Sequence, residues 1–402
     1  MFDTKLKAQS AALAGALALS FGLCVLAAEE PGAASRASGA EGTTVLLRTP
    51  NHGIQPQVAI DAKGVVHLLY FKGEPAGGDV YYARSEDGSR FTDPVRVNSG
   101  ERSVVAAGTI RGAQLALGKN GRVHVAWNGS HKATPKAPGG GEPMLYARLD
   151  DKGAVFESQR NLIRSAEGLD GGGSVTADGD GNVYVFWHAP DPGTKGEDNR
   201  RVWVAASADE GKTFAPERAA STEPTGACGC CGLRAFASGG KLYALYRGAK
   251  DVTQRDVHLL RSADKGKTFS GEALHPWEIK TCPMSSMALA DAPDGAVLGA
   301  WDTKGQVYFV KIDPKTGKRS DPIAAPGAGK GRKHPALAAN ARGETLFAWT
   351  EGTGWKRGGS VAWQVYDQDG KPSAERGRAD GVPVWGLVAA FVRPDGRFAI
   401  VY

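Results

Sequence analysis

Val58-Ala-Ile-Asp-Ala-Lys-Gly-Val-Val-His-Leu-Leu-Tyr70 reads as an apolar strand, a glycine-bearing turn and a second strand that ends on an aromatic. The unit recurs at 115–127, 175–187, 234–246, 287–301, 337–349 and 388–402, seven copies in all. Its closing aromatics, Tyr70, Trp127, Trp187, Tyr246, Trp301, Trp349 and Tyr402, fall 48 to 60 residues apart. The turns carry Gly, Asn or Asp, which tolerate the positive φ of a tight hairpin. A period near fifty residues suits a four-stranded propeller blade.

A second hairpin lies between these copies, six times over. It is clearest at 79–97, 201–219 and 256–273, and weaker at 144–163, 306–323 and 360–376. The chain has 55 glycines and 22 prolines, and short alternating runs dominate over helical spacing. Both features argue for an all-β fold. With seven inner hairpins and six outer ones, the last blade is short of strands. Thr43-Thr44-Val45-Leu46-Leu47-Arg48 resembles the final strand of an outer hairpin, like Pro94-Val95-Arg96-Val97. The expectation is that it joins the C-terminal hairpin and closes the ring, which removes exposed strand edges.

Two outer hairpins carry Ser207-Ala-Asp-Glu-Gly-Lys-Thr-Phe214 and Ser262-Ala-Asp-Lys-Gly-Lys-Thr-Phe269. Ser85 to Phe91, with Asp87, and Asp151 to Phe156 are degenerate versions. These stretches resemble the Asp-box (BNR) repeat of the sialidase superfamily, S-x-D-x-G-x-T-[WF]. The resemblance extends over nearly all of 43–402 and implies a single β-propeller of four-stranded blades. Seven blades are favoured; sialidases are six-bladed, and six blades with an irregular C-terminal segment is the alternative. Asp87, Asp209 and Asp264 are suited to accept turn N–H groups, and Ser85, Ser207 and Ser262 can bond beside them. Gly211 and Gly266 supply a permissive backbone, and Phe214 and Phe269 cover the turn. The expected role of these boxes is structural.

Strand alternation places both hairpin turns of every blade on one face. The loops that lead into each blade, and those joining second to third strands, share the other face. That face carries His52, Gln55, Gln57, Arg111, Asp170, the stretch Cys228 to Arg234, Cys282, Met284, His334 and Trp385. It also carries Lys72, Asn128, His188, Arg247, Asp302, Glu351 and Trp355. Converging polar and aromatic loops suit a small polar ligand such as a glycan. His52, Gln57, His188, Asp302, His334 and Trp385 are the candidate ligand-binding residues.

The family resemblance implies three arginines on a substrate carboxylate, a Tyr–Glu nucleophile and an Asp acid/base. Guanidinium forks match carboxylates bidentately. Candidates for these roles are Arg111, Arg234 and Arg247, with Asp170 or Glu278 as the carboxylate. The sequence departs from the family where its R-I-P motif would stand, since Ile54-Gln55-Pro56 keeps only the proline. No tyrosine stands out in the ligand-facing loops. The leading expectation is therefore a binding propeller, and an exo-sialidase-like glycoside hydrolase is the alternative.

Ala227-Cys228-Gly229-Cys230-Cys231-Gly232 leads into the fourth blade, and Cys282-Pro283-Met284 into the fifth. Leaving out Cys24 of the signal stretch, four of the five cysteines remain, and an even set in an exported chain is read first as disulfides. Cys282 is expected to bridge to one member of the cluster, with the others paired locally. A second alternative makes Cys228, Cys230, Cys231, Cys282 and Met284, with His334 nearby, a soft site for copper or zinc. The leading reading needs no cofactor.

Lys5 and Lys7 precede an apolar stretch that ends at Ala27-Ala28, the pattern of a secretory signal peptide. Residues 29–42 then form a flexible lead-in, and a secreted or periplasmic location is expected. No later run is long enough to span a bilayer. The net charge of +6 over 402 residues is scattered, which gives nucleic-acid binding no support.

Overall fold

A computed structural model describes residues 44–108, 111–221 and 223–402. The expected signal peptide, 1–28, and lead-in, 29–42, lie outside the described residues. Seven sheets follow one another along the chain, six of them four-stranded in sequence order. In blade 1, Ile54–Ile60, Val66–Glu74, Gly77–Ser85 and Val95–Arg96 run antiparallel from the axis outward. The inner strands of blades 2 to 6 are Gln114–Leu117, Gly171–Ala177, Arg234–Ser238, Met287–Asp291 and Arg332–Ala339. The fold is a seven-bladed all-β propeller. No helix among the described residues is long and apolar enough to cross a membrane.

Blade 7 has three strands, and the N-terminal strand joins the C-terminal hairpin and closes the ring as expected. Ala389–Val392 and Phe398–Val401 pair antiparallel, and Val45–Leu47 adds to Phe398–Val401 in parallel, with Val45 opposite Ala399. The direction has a simple cause. The fourth strand of a blade runs parallel to its second. Val45–Leu47 keeps a fourth strand's direction but lies directly on the second, because no third strand separates them. Its flanks hold blade 6: Thr44 donates from N and Oγ1 to Glu375 Oε1 at 2.7 and 2.5 Å, and Arg48 Nη1 donates to the Gly381 carbonyl at 2.6 Å.

The core is a set of inter-blade layers. Tyr146 and Trp187 belong to one apolar cluster between blades 2 and 3, and Tyr243 and Trp301 to another between blades 4 and 5. Val66, Leu68 and Tyr70 of blade 1 cluster with Phe391, Ala399 and Val401 of blade 7, which closes the ring through packing. All seven closing aromatics are buried. Burial of this kind is the main favourable term in folding.

Local turn chemistry sets the hairpins. Asp61 Oδ1 accepts the amides of Lys63 and Val65, both at 2.9 Å, and Gly64 takes φ 82°. Asp178 and Asn340 repeat this in blades 3 and 6. In the outer turn of blade 3, Ser207 Oγ donates to Asp209 Oδ1 at 2.7 Å and accepts the Gly211 amide at 2.9 Å. Asp209 also takes the amide and hydroxyl of Thr213 at 2.9 and 2.7 Å. Ser262, Asp264, Gly266 and Thr268 reproduce every one of these bonds in blade 4. Ser85 and Asp87 keep the serine–aspartate bond at 2.9 Å in blade 1. The aromatics reach further than the turn itself. Phe214 stands edge-on to Tyr146 of the preceding blade at 4.8 Å, and Phe269 to Phe186 at 5.9 Å. Glu210 donates its amide to the Gly181 carbonyl at 2.8 Å, so outer and inner turns share one face.

Candidate functional site at the channel mouth

Seven inner strands converge on an axial cavity of about 460 Å³. Space near the axis is short, and alanine, as at Ala59, Ala116, Ala237, Ala290 and Ala338, is the commonest lining residue. One level breaks the pattern. In each blade it is the residue paired opposite the one just before the closing aromatic. Around the ring this residue is Gln57, Gln114, Ser174, Arg234, Ala288, Ala336 and Ala389. Blades 1 to 4 are polar there and blades 5 to 7 carry alanine. The level lies at the starts of the inner strands, on the face of the blade-leading loops.

Arg234 occupies this mouth. Its Nη1 donates to Gln57 Oε1 at 2.8 Å and to Gln114 Oε1. The side chain thus reaches from blade 4 to blades 1 and 2. Its Nε has no hydrogen-bond partner. Protein atoms crowd the guanidinium and burial lowers its pKa to about 10, so it stays charged at neutral pH. Because both glutamines spend their amide oxygens on Arg234, their amino groups remain as donors. Charge and donors therefore meet at one point, which suits an anion.

The strands start under strain. Three inner strands carry the same one-residue bulge, between Ile54 and Gln57, Gly171 and Ser174, and Lys333 and Ala336. The bulged residues Gln55, Gly172 and His334 take φ of 56°, 68° and 52°. Met284 and Trp385 take φ of 48° and 62° at the starts of blades 5 and 7. Such conformations in non-glycine residues cost about 1–3 kcal/mol each and gather at functional sites. Gln55 Nε2 donates to the Ala106 and Trp385 carbonyls at 2.7 and 3.0 Å. Trp355, 59% exposed, stands edge-on to Trp385 at 4.7 Å. Trp385 in turn is tied to the channel lining through its carbonyl, which accepts from Gln55.

His334 is buried with Nδ1 3.0 Å from Ser286 Oγ, and burial lowers its pKa to about 3. His188 is buried with neither ring nitrogen bonded, and its pKa is likewise lowered to about 3 by burial. Both rings are neutral. His52 is exposed. Asp302 is buried, accepts Ser285 Oγ at 2.9 Å, and burial raises its pKa.

The other charged candidates are engaged elsewhere. Arg111 Nη2 and Arg200 Nη2 donate to the two oxygens of Asp170 at 2.7 and 2.6 Å. Arg247 is wholly buried, donates to the Arg255 and Asp302 carbonyls, and lies 4.9 Å over the Trp277 ring. It ties blade 4 to blade 5. Glu278 is exposed and does not line the channel. Gln114, Arg200 and Ser286 were not singled out from sequence. Gln114 had a signal: Gln57-Val-Ala-Ile60 and Gln114-Leu-Ala-Leu117 are the same repeat position.

Cys230 and Cys282 form a disulfide that joins the loops leading into blades 4 and 5. Cys228 and Cys231 are free and buried, so the expected local pairing of the other cysteines is not formed. The Sγ atoms of Cys228, Cys230 and Cys231 lie within 4.8 Å of one another. Met284 is half-buried in the adjoining loop.

No known family profile matches the chain, and no curated protein matches it in sequence. Solved structures do match. An α-L-arabinanase from Penicillium chrysogenum, complexed with arabinobiose, aligns with TM-score 0.50 and 15% identity, over 80% of this chain and 95% of that one. A Trypanosoma rangeli sialidase in complex with the inhibitor DANA aligns with TM-score 0.50 and 11% identity, over 85% of this chain and 59% of that one. What the chain shares with them is the propeller fold.

Proposed function

We propose that this protein is an exported propeller that binds a glycan, or a similar small polar ligand, through an acidic group seated on Arg234. The observation that carries the reading is the guanidinium at the channel mouth, held by Gln57 and Gln114 with its Nε unpartnered. The exposed Trp355, packed on Trp385, offers an aromatic surface on which a sugar ring can stack. The propeller fold, shared with an arabinanase and a sialidase, supports the carbohydrate class. The Cys230–Cys282 disulfide supports an oxidising compartment, secreted or periplasmic.

Binding is favoured over hydrolysis by the carboxylates. Glycoside hydrolysis generally uses a pair of them flanking the scissile bond. Among the described residues lining the channel the only carboxylate is Asp291, at the opposite end of its inner strand from the mouth. Asp170 has both oxygens engaged by arginines. The test is calorimetric titration with sialic, glucuronic and galacturonic acids against neutral sugars of the same size. Acidic sugars should bind and neutral ones should not. Equal binding of both classes, or acid binding that survives Arg234→Gln, would overturn the reading.

A further inference from the structure

We propose that Cys228 and Cys231 form a binding site for a single copper(I) ion, held as a two-coordinate bis-thiolate. Two free thiols three residues apart are buried together beside a formed disulfide. Their sulfurs, with that of Cys230, lie within 4.8 Å of one another. Soft thiolates select copper(I), and the unpaired sulfur count of two falls short of the four ligands of a structural zinc site.

Two buried arginines flank the thiols. Arg247 and Arg255 are buried at 0% and 4% exposure; Arg255 acts electrostatically on both thiols and Arg247 on Cys231, while the carboxylates of Glu197 and Asp302 act in the opposite sense on Cys228 and Cys231 respectively. Arg247 Nε and Arg255 Nε and Nη1 have no hydrogen-bond partner. Buried donors of this kind ordinarily find an acceptor. Glu197 pairs with Arg255 through Nη2 at 2.6 Å, and the single negative charge of a copper bis-thiolate would face the N–H groups that remain. The loop is also fixed before any ion arrives. The Cys228 amide donates to the Arg247 carbonyl at 2.9 Å, and the Gly232 amide to the Ser285 carbonyl at 2.8 Å. Gly229 donates to Glu197 Oε1 at 3.0 Å.

The step balances without a redox partner. Copper(I) and two thiols give one bis-thiolate and two released protons, and the Cys230–Cys282 bond is kept. Neither the channel nor Arg234 takes part, so the site stands apart from the proposed ligand function.

The experiment uses the full exported chain with its disulfide intact, titrated anaerobically with copper(I) against a chromophoric copper(I) chelator. One equivalent should be withheld from the chelator, with two protons released per ion. Cys228→Ser and Cys231→Ser should each weaken retention more than tenfold, and Cys282→Ser should keep it. Zinc should not be retained. Failure to withhold an equivalent, retention in both serine variants, or release of no protons would overturn the proposal. The proton count reads the site in the parent protein even where a serine variant fails to fold.

Discussion

Arg234 Nη1 donates to Gln57 Oε1 at 2.8 Å, although the two residues are 177 positions apart and lie on blades 4 and 1. The contact crosses the mouth of the channel and fixes the guanidinium where the blade-leading loops converge. Replacing Arg234 by Gln should weaken an acidic sugar about 10- to 100-fold, the scale of a charged hydrogen bond. Stability should change little, because Gln57 and Gln114 are half-buried residues of the channel lining rather than core. Titration calorimetry and a thermal melt on the same sample separate the two effects. A large drop in melting temperature with unchanged affinity would make Arg234 a structural plug.

Buried histidines predict an acid limit to stability. His124, His188 and His334 each have a pKa lowered to about 3, in every case first by burial. The sign follows from linkage. Above pH 6.5 the rings are neutral folded and unfolded, and nothing is lost. Between 6.5 and 3 the unfolded chain takes up protons that the folded chain refuses, so stability falls with pH. At pH 5 each ring costs about 2 kcal/mol. Three together reach about 6 kcal/mol, a large share of a typical net stability. Denaturant midpoints from pH 7.5 to 4.5 should fall steeply. His188→Leu, which removes a ring with no hydrogen bonds, should flatten the slope by about a third; an unchanged slope would exclude His188 as a contributor.

The fold was legible because it repeats. Seven copies of one hairpin favour seven blades over six, and the closing aromatics mark where each second strand ends. The site was legible only in outline, since Arg234, Gln57 and His334 were named but their relation was not. Nothing local in Arg234-Ala-Phe-Ala237 says that its partner is Gln57. That contact exists because the ring closes, and closure is a property of all seven blades. The bulges at Gln55 and His334 were missed although both precede prolines, Pro56 and Pro335. The parallel pairing of Val45–Leu47 was hidden for a related reason. Its sequence matches a fourth strand, and the missing third strand decides where it lands.

The turn motifs of blades 3 and 4 lie on the face away from the channel mouth, and this predicts a clean separation of effects. Asp209→Ala removes bonds to Ser207 and to the amide and hydroxyl of Thr213. A loss of about 1–2 kcal/mol in stability is expected, with ligand affinity unchanged. Urea titration and calorimetry check the two halves. An affinity loss matching that of Arg234→Gln would contradict the assignment of faces.

Ring closure makes a last prediction, because it depends on three residues. Among the described residues Val45–Leu47 is the strand that the N-terminal side supplies to blade 7, and it covers the outer edge of Phe398–Val401. Leu46 is 5% exposed and belongs to the apolar cluster between blades 6 and 7, with Trp363, Val382 and Ile400. Leu46→Ala removes buried methyl groups and should cost about 2–3 kcal/mol. Leu46→Asp goes further, since an unpaired carboxylate in that layer should expel the strand. The freed edge of Phe398–Val401 would then offer unpaired backbone groups to another chain. Light scattering should show concentration-dependent association for Leu46→Asp and a monomer for Leu46→Ala. A monomeric Leu46→Asp protein as stable as the parent would mean that blade 7 holds without its N-terminal strand, and that packing of Phe391, Ala399 and Val401 on blade 1 suffices to close the ring.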